Sequence, residues 1–205
     1  FDENSSVRII GPQSFERTCI TQIVIPASVT EIGQNAFSLA RNLRVIEFAK
    51  NSKLKVINKL SFNFTGISRI VIPSSVSKIC ESAFHFCPNL ESVEFEENSE
   101  LKIIEKNAFY CCPITYFQIP SSVETSNEVW WDCFGPLLNN LDVKINDVQN
   151  ISNYNDDFIL SKSDSKSEIF DTLIFVRRDI EAAIIPSFIK KIEKYAFYKC
   201  SKLKR

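Results

Sequence analysis

Ile72-Pro73-Ser74-Ser75-Val76-Ser77-Lys78-Ile79-Cys80-Glu81-Ser82-Ala83-Phe84-His85-Phe86-Cys87 is the stretch that decides the fold of this chain. Taken alone, it reads as an apolar strand stopped by proline, a polar turn, a second apolar contact and an Ala-Phe step. Proline lacks the N–H that a strand ladder needs, so a strand that reaches Ile-Pro ends there. Repetition gives the reading its weight. Pro26, Pro73 and Pro120 each follow an Ile and recur every 47 residues. Phe15, Phe62 and Phe109 keep the same step in one register, and Phe37, Phe84 and Trp131 keep it in another. A fixed period of roughly 20 to 50 residues is the signature of stacked coils.

Each period splits into two similar halves, and the half is the structural unit. Its strand motif is L-x-x-L-x-L: Ile20, Ile23, Ile25; Leu43, Ile46, Phe48; Ile67, Ile70, Ile72; Leu90, Val93, Phe95; Ile114, Phe117, Ile119. One half-type adds Asn51 or Asn98 three residues later, which completes L-x-x-L-x-L-x-x-N; the other carries Ser28, Ser75 or Ser122 there. A second apolar contact follows through Val29 and Ile32, Leu54 and Ile57, Val76 and Ile79, or Leu101 and Ile104. The Ala-Phe step then comes as Ala36-Phe37, Ala83-Phe84, Ala108-Phe109 and Ala196-Phe197. There Ala permits close approach of neighbouring coils and Phe fills the space between layers. A unit of this length cannot bury its own apolar face, so its stability comes from its neighbours.

The phrase IPxSVxxIxxxAFxxC resembles the BspA-type leucine-rich repeats of bacterial and parasitic-protist surface proteins. The matches are Ile72-Pro73-Ser74-Ser75-Val76 running on to Ala83-Phe84 and Cys87, and Ile185-Pro186-Ser187 running on to Ala196-Phe197 and Cys200. The resemblance implies a leucine-rich-repeat solenoid, an α/β-type, β-rich right-handed superhelix. Short parallel strands would line its concave face, with short helical turns and loops elsewhere. Repeats are expected over 1–145 and again, truncated, over 180–205 from Ile180, Ala183 and Ile185. Between them, 146–179 lacks the motif but offers Phe158-Ile159-Leu160 and Thr172-Leu173-Ile174-Phe175-Val176, which predict a β-hairpin-like insertion. Trp131 in the Phe slot and Phe134 in the Cys slot predict a distorted coil after Val123. With no Met and no leader at Phe1, the sequence reads as a fragment of a longer protein.

Composition narrows the function. Lys+Arg number 24 against 25 Asp+Glu, a net charge of −1, so no basic field draws nucleic acid. No apolar run reaches the roughly 18 residues of a membrane span, so no membrane contact is expected within the chain. Four glycines include no phosphate-cradling motif, and no cofactor is expected. The single histidine, His85, falls where a side chain faces solvent on the convex side and has no second His with which to share a metal. Glu94, Glu96, Glu97 and Glu100 lack ligand-loop spacing and read as a solvated acidic face. The seven cysteines show no C-x-x-C pair; Cys87, Cys112 and Cys200 share a slot that elsewhere holds Thr18, Ala40 and Thr65, which predicts small buried side chains. Sequons at Asn4, Asn63 and Asn150 are about as many as composition supplies by chance. Neither a catalytic nor a metal site emerges.

What remains is surface. The outward positions of the L-x-x-L-x-L strands are Gln22 and Val24, Val45 and Glu47, Arg69 and Val71, Ser92 and Glu94, and Tyr116 and Gln118. They form the candidate partner-binding concave face; the insertion or a solenoid end could serve instead. The resemblance implies an extracellular, cell-surface adhesion or recognition ectodomain whose protein partner is a host-cell surface or extracellular-matrix component. An intracellular protein-interaction scaffold is the alternative, and oligomeric state is left open. An enzyme hidden in 146–179 would have neither His nor Cys from which to build a site.

Overall fold

The computed structural model describes residues 1, 5–123, 142–145, 151–164, 166–177, 179–194, 196–198 and 200–205. Trp131, Cys133 and Phe134 lie outside the described residues. The chain winds as a β-solenoid. One side carries two-residue strands: β1 (Ile9–Ile10), β3 (Glu31–Ile32), β5 (Val56–Ile57), β7 (Lys78–Ile79) and β9 (Ile103–Ile104). These pair in parallel, in the order β1-β3-β5-β7-β9, so each coil sits on the previous one. Another side carries four-residue strands: β2 (Gln22–Ile25), β4 (Val45–Phe48), β6 (Arg69–Ile72), β8 (Ser92–Phe95), β10 (Tyr116–Ile119) and β11 (Asp142–Ile145).

This second ladder is not continuous. Strands β2 and β4 pair over four positions, as do β6 with β8 and β10 with β11. In contrast β10 meets β8 at only two positions, and β4 and β6 form no ladder, leaving separate two- and four-stranded sheets. The proline explains the alternation. Beyond the ends of β4 and β8, Ala49 N–H donates to the Ile25 carbonyl at 2.9 Å and Glu96 N–H to the Ile72 carbonyl at 3.0 Å. The matching donors after β6 and β10 would be Pro73 and Pro120, which have no N–H. Strands that end in Ile-Pro therefore accept the next strand in full and seat poorly on the one before.

The third side corrects the expected helical turns: among the described residues there is no helix. Along the Ala-Phe segments, N–H groups alternate between two kinds of acceptor. Ala36 and Ser38 donate within their own coil, to Gly33 and Asn35, whereas Asn35, Phe37 and Leu39 donate across to Lys59, Ser61 and Asn63 of the next. A helix needs every N–H directed to the residue four before it. Alternation denies it that and supplies a further set of bonds between coils. The geometry places residues two before and two after Phe15, Phe37, Phe62, Phe84 and Phe109 at positive φ, among them Asn35 (56°), Leu39 (60°), Phe64 (54°), Ser82 (57°), Phe86 (53°) and Asn107 (57°). Asn51 (61°) and Asn98 (57°) also take left-handed φ, as exposed turn residues after β4 and β8. Asn tolerates that region because its short side chain can bond locally.

The two Phe registers merge into one interior column. Ring centroids of Phe15–Phe37, Phe37–Phe62, Phe62–Phe84 and Phe84–Phe109 lie 5.0, 5.1, 5.2 and 5.2 Å apart, with planes within 10°. Phe37, Phe62, Phe84 and Phe109 are fully buried, with Ala36, Ala83 and Ala108 beside them. Beyond the stacked coils, β12 (Ile151–Tyr154), β13 (Phe158–Ser161) and β14 (Thr172–Val176) pair antiparallel. Strand β14 also pairs in parallel with β15 (Lys191–Ile192). Phe158, Leu160, Leu173, Val176, Ile180 and Ala196 form a second core cluster.

Candidate functional site

Period-two alternation along the four-residue strands sends one set of side chains into the core and the other out. Ile25, Ile46, Ile70, Ile72, Val93, Phe117 and Ile119 are buried. The ten residues expected to face outward do so, as exposed or half-buried side chains on one surface. Strand register arranges them in rows: Gln22 beside Val45 and Val24 beside Glu47, Arg69 beside Ser92 and Val71 beside Glu94, Ser92 beside Tyr116. Val24, Val45 and Val71 are 51%, 44% and 36% exposed, apolar side chains interspersed with charged ones, since Val24 stands beside Glu47 and Val71 beside Glu94.

Electrostatics divides this surface. Arg69 donates to Glu94 from both Nε (2.9 Å) and Nη2 (2.7 Å), and Ser92 Oγ adds a third hydrogen bond to Glu94 at 3.1 Å. The Arg69 hydrogen bond is the main reason the Glu94 carboxyl is held below its usual range. Glu96 is likewise engaged, accepting from Ser74 N–H at 2.9 Å. Tyr116 hydroxyl donates to Gln118 Oε1 at 3.3 Å. The acidic residues foreseen as a solvated face are thus partly tied into cross-coil pairs, and Glu100 meets Lys55 at 2.8 Å.

The break between β4 and β6 opens a cleft of about 410 Å³ on this face, lined by Arg44, Val45, Glu47, Ser68, Arg69 and Val71 among others. A second depression of about 300 Å³ lies between Phe1, Gln22, Val24, Val45 and Glu47. Arg44 and Ser68, which sequence reasoning left out, stand immediately before the strands and point out beside the cleft. Each occupies the first x of L-x-x-L-x-L, directly after Leu43 or Ile67, a position the motif leaves open to solvent.

His85 is half-buried, one side covered by aromatic rings. It stacks on Tyr110 at 5.2 Å and meets the Phe86 ring edge-on at 4.5 Å, while Phe86 stacks on Phe64 at 4.9 Å. Burial in this aromatic cluster pushes its pKa down. Among the described residues, no group of three or more His, Cys, Asp or Glu is placed to hold a metal. No helix among them is long and apolar enough to cross a membrane.

The slot three residues after each Phe is occupied as expected at Thr65, Cys87 and Cys112, which are all buried, whereas Cys200 is half-buried. Thr65 Oγ1 donates to the Phe62 carbonyl at 2.9 Å and sits 3.3 Å from Cys87 Sγ. Asn63, the preceding residue of that sequon, has Nδ2 on Ser38 Oγ at 3.3 Å and a buried Oδ1.

The repeat family and the solved structures agree with this geometry. The model of the BspA type leucine rich repeat region, in six copies, matches residues 8–135 and 141–205. The pneumococcal vaccine antigen PcpA is similar over 97% of this chain at 27% identity, with a TM-score of 0.81. A leucine rich cell surface protein from Faecalibacterium prausnitzii is similar in fold over 96% of the chain, at 23% identity and a TM-score of 0.66. The chain spans 49% of the first of these structures and 57% of the second. Among curated proteins none matches.

Proposed function

This chain belongs to the BspA type leucine rich repeat family, and on that premise we propose that it is a cell-surface adhesion or recognition ectodomain whose outward strand face, concave in this reading, binds a host-cell or matrix protein. Family membership carries the coarser statement, a role in protein binding or recognition. The family and fold are typically non-enzymatic. The single observation behind the finer reading is the set of exposed valines Val24, Val45 and Val71, interspersed with Glu47, Arg69 and Glu94, of which Val45 and Val71 line the β4–β6 cleft. Apolar anchors bordered by charges are what a protein interface presents at its centre and rim. The name of the Faecalibacterium relative, a cell surface protein, and that of PcpA, a vaccine antigen, support an extracellular location. The same proposal keeps 1–145 as repeats, 146–179 as an insertion and 180–205 as resumed repeat. The antiparallel pairing of β12, β13 and β14 supports that division.

The test is binding of fluorescently labelled chain to cultured host cells and to immobilised matrix proteins, with Arg69→Glu and Val71→Glu introduced together. The expected result is saturable binding by the parent, reduced at least tenfold in the double variant at an unchanged melting temperature. Binding unaffected by the substitutions removes the strand face from the site; absence of binding by the parent removes the adhesion reading.

A further inference from the structure

We propose that Cys87 and Cys112 are a cross-coil disulfide pair, a redox site that joins two neighbouring coils through the interior of the solenoid. The two residues occupy the same slot, three after Phe84 and three after Phe109, in successive coils. Those coils are locked together up to the cysteines. Phe84 N–H donates to the Ala108 carbonyl at 2.7 Å, Phe86 N–H to the Tyr110 carbonyl at 2.8 Å, and the two Phe rings stack at 5.2 Å. Residues facing each other across such backbone bonding stand about 4.8 Å apart. That lies inside the roughly 4.4–6.8 Å Cα separation that a disulfide spans. Cys112 Sγ already reaches across to the Cys87 coil, donating to the Phe84 carbonyl at 2.9 Å.

No other pairing has these properties among the described cysteines. Cys87 meets Thr65 on its other side, so its one thiol neighbour in the column is Cys112. Cys80 stands next to Ile79, in the slot occupied by Gly33, Asn58 and Glu105 in the neighbouring coils, and Cys19 is exposed. Cys111, adjacent in sequence to Cys112, is only half-buried. The two thiols also perturb each other: burial acts on both, and the hydrogen bonds to Cys87 from Cys112 and Thr65 hold it down while Cys112 is held up.

The chemistry requires a low-molecular-weight disulfide as oxidant. The Cys87 thiolate attacks one sulfur of that reagent, forming a mixed disulfide and expelling one thiolate, which takes up a proton. Cys112, losing its proton to solvent, then attacks the Cys87 sulfur and expels the second thiolate. Two electrons pass from the protein pair to the reagent, which leaves as two thiols. Burial confines these steps to folding or to local opening of the coils, so oxidation of the folded chain is slow.

The experiment folds the chain in a mixture of oxidised and reduced glutathione, quenches exchange with acid, blocks every remaining thiol with N-ethylmaleimide in denaturant and maps the digest by mass spectrometry without reduction. The expected product is one cross-linked peptide pair containing Cys87 and Cys112, lighter than its parts by two hydrogen atoms. It persists in Cys111→Ser and is lost in Cys112→Ala. The oxidised chain is expected to melt roughly 7–14 °C above the reduced one, from the loop-closure entropy that a cross-link between these positions removes. Maleimide on both Cys87 and Cys112 after oxidation overturns the proposal, as does a link from Cys87 to Cys111. The mapping uses the unmodified chain, so a failure of Cys112→Ala to fold leaves the decision intact.

Discussion

Removing the ring of Phe84 asks whether the interior column holds the solenoid together. Phe84 has no exposed surface and lies between Phe62 and Phe109, each at 5.2 Å with planes within 10°. A buried Phe→Ala change costs about 3–5 kcal/mol through lost transfer energy and the cavity left behind. The upper part of that range applies here, because both ring faces lose a stacked partner and coil stacking limits how far the gap can collapse. For a chain of this size one kcal/mol moves the melting temperature by roughly 2–4 °C, so Phe84→Ala is expected to melt about 8–20 °C below the parent. Phe86→Ala is the control. That ring is 38% exposed and stacks on Phe64 outside the core, and its loss costs no more than about 1.5 kcal/mol. Circular-dichroism melts with urea titrations of all three chains measure the difference. A Phe84→Ala chain melting within about 2 °C of the parent, or Phe86→Ala proving the costlier change, refutes the column as the source of stability.

Gly66→Ala is expected to destabilise by about 1–3 kcal/mol, because an added Cβ would lie 2.4 Å from the Arg41 carbonyl oxygen, part of a rigid backbone; a melt within error of the parent counts against that close approach. Arg69→Ala breaks an exposed, solvent-screened ion pair and should leave the melting temperature nearly unchanged, which makes it a clean probe of binding; a large drop in melting temperature would show that the pair is structural. Asp171, nearly buried and accepting from Ser163 N–H and Oγ at 2.9 Å each, has its pKa lowered to about 2. Its contribution is present above the ordinary carboxylate pKa and is lost as pH falls through about 2, so the stability gap between parent and Asp171→Asn should close on acidification from pH 5 to pH 2. A gap independent of pH across that window would remove Asp171 as its cause. Thiol labelling of the reduced native chain should be fast at Cys19 and slow at Cys87 and Cys112; equal rates would contradict their burial.

Sequence by itself determined everything that depends on spacing along the chain. The 47-residue period located the strands, because a side chain recurring at the same point of each coil must meet its counterpart. Alternation within L-x-x-L-x-L placed Val24, Val71 and Arg69 outside and Ile25, Ile70 and Ile72 inside. Shared slots likewise foretold that Cys87 and Cys112 are buried. Tertiary structure decided what depends on how one coil meets the next. Two Phe registers became a single column, the Ala-Phe segments stayed non-helical because every second N–H bonds to the neighbouring coil, and His85 was packed half-buried against Phe86 and Tyr110. The cleft between β4 and β6 belongs to the same class. Pro73 announces a missing donor in the sequence, but only the stacked coils turn that absence into a break in the ladder, since a backbone bond between coils is a property of two strands at once.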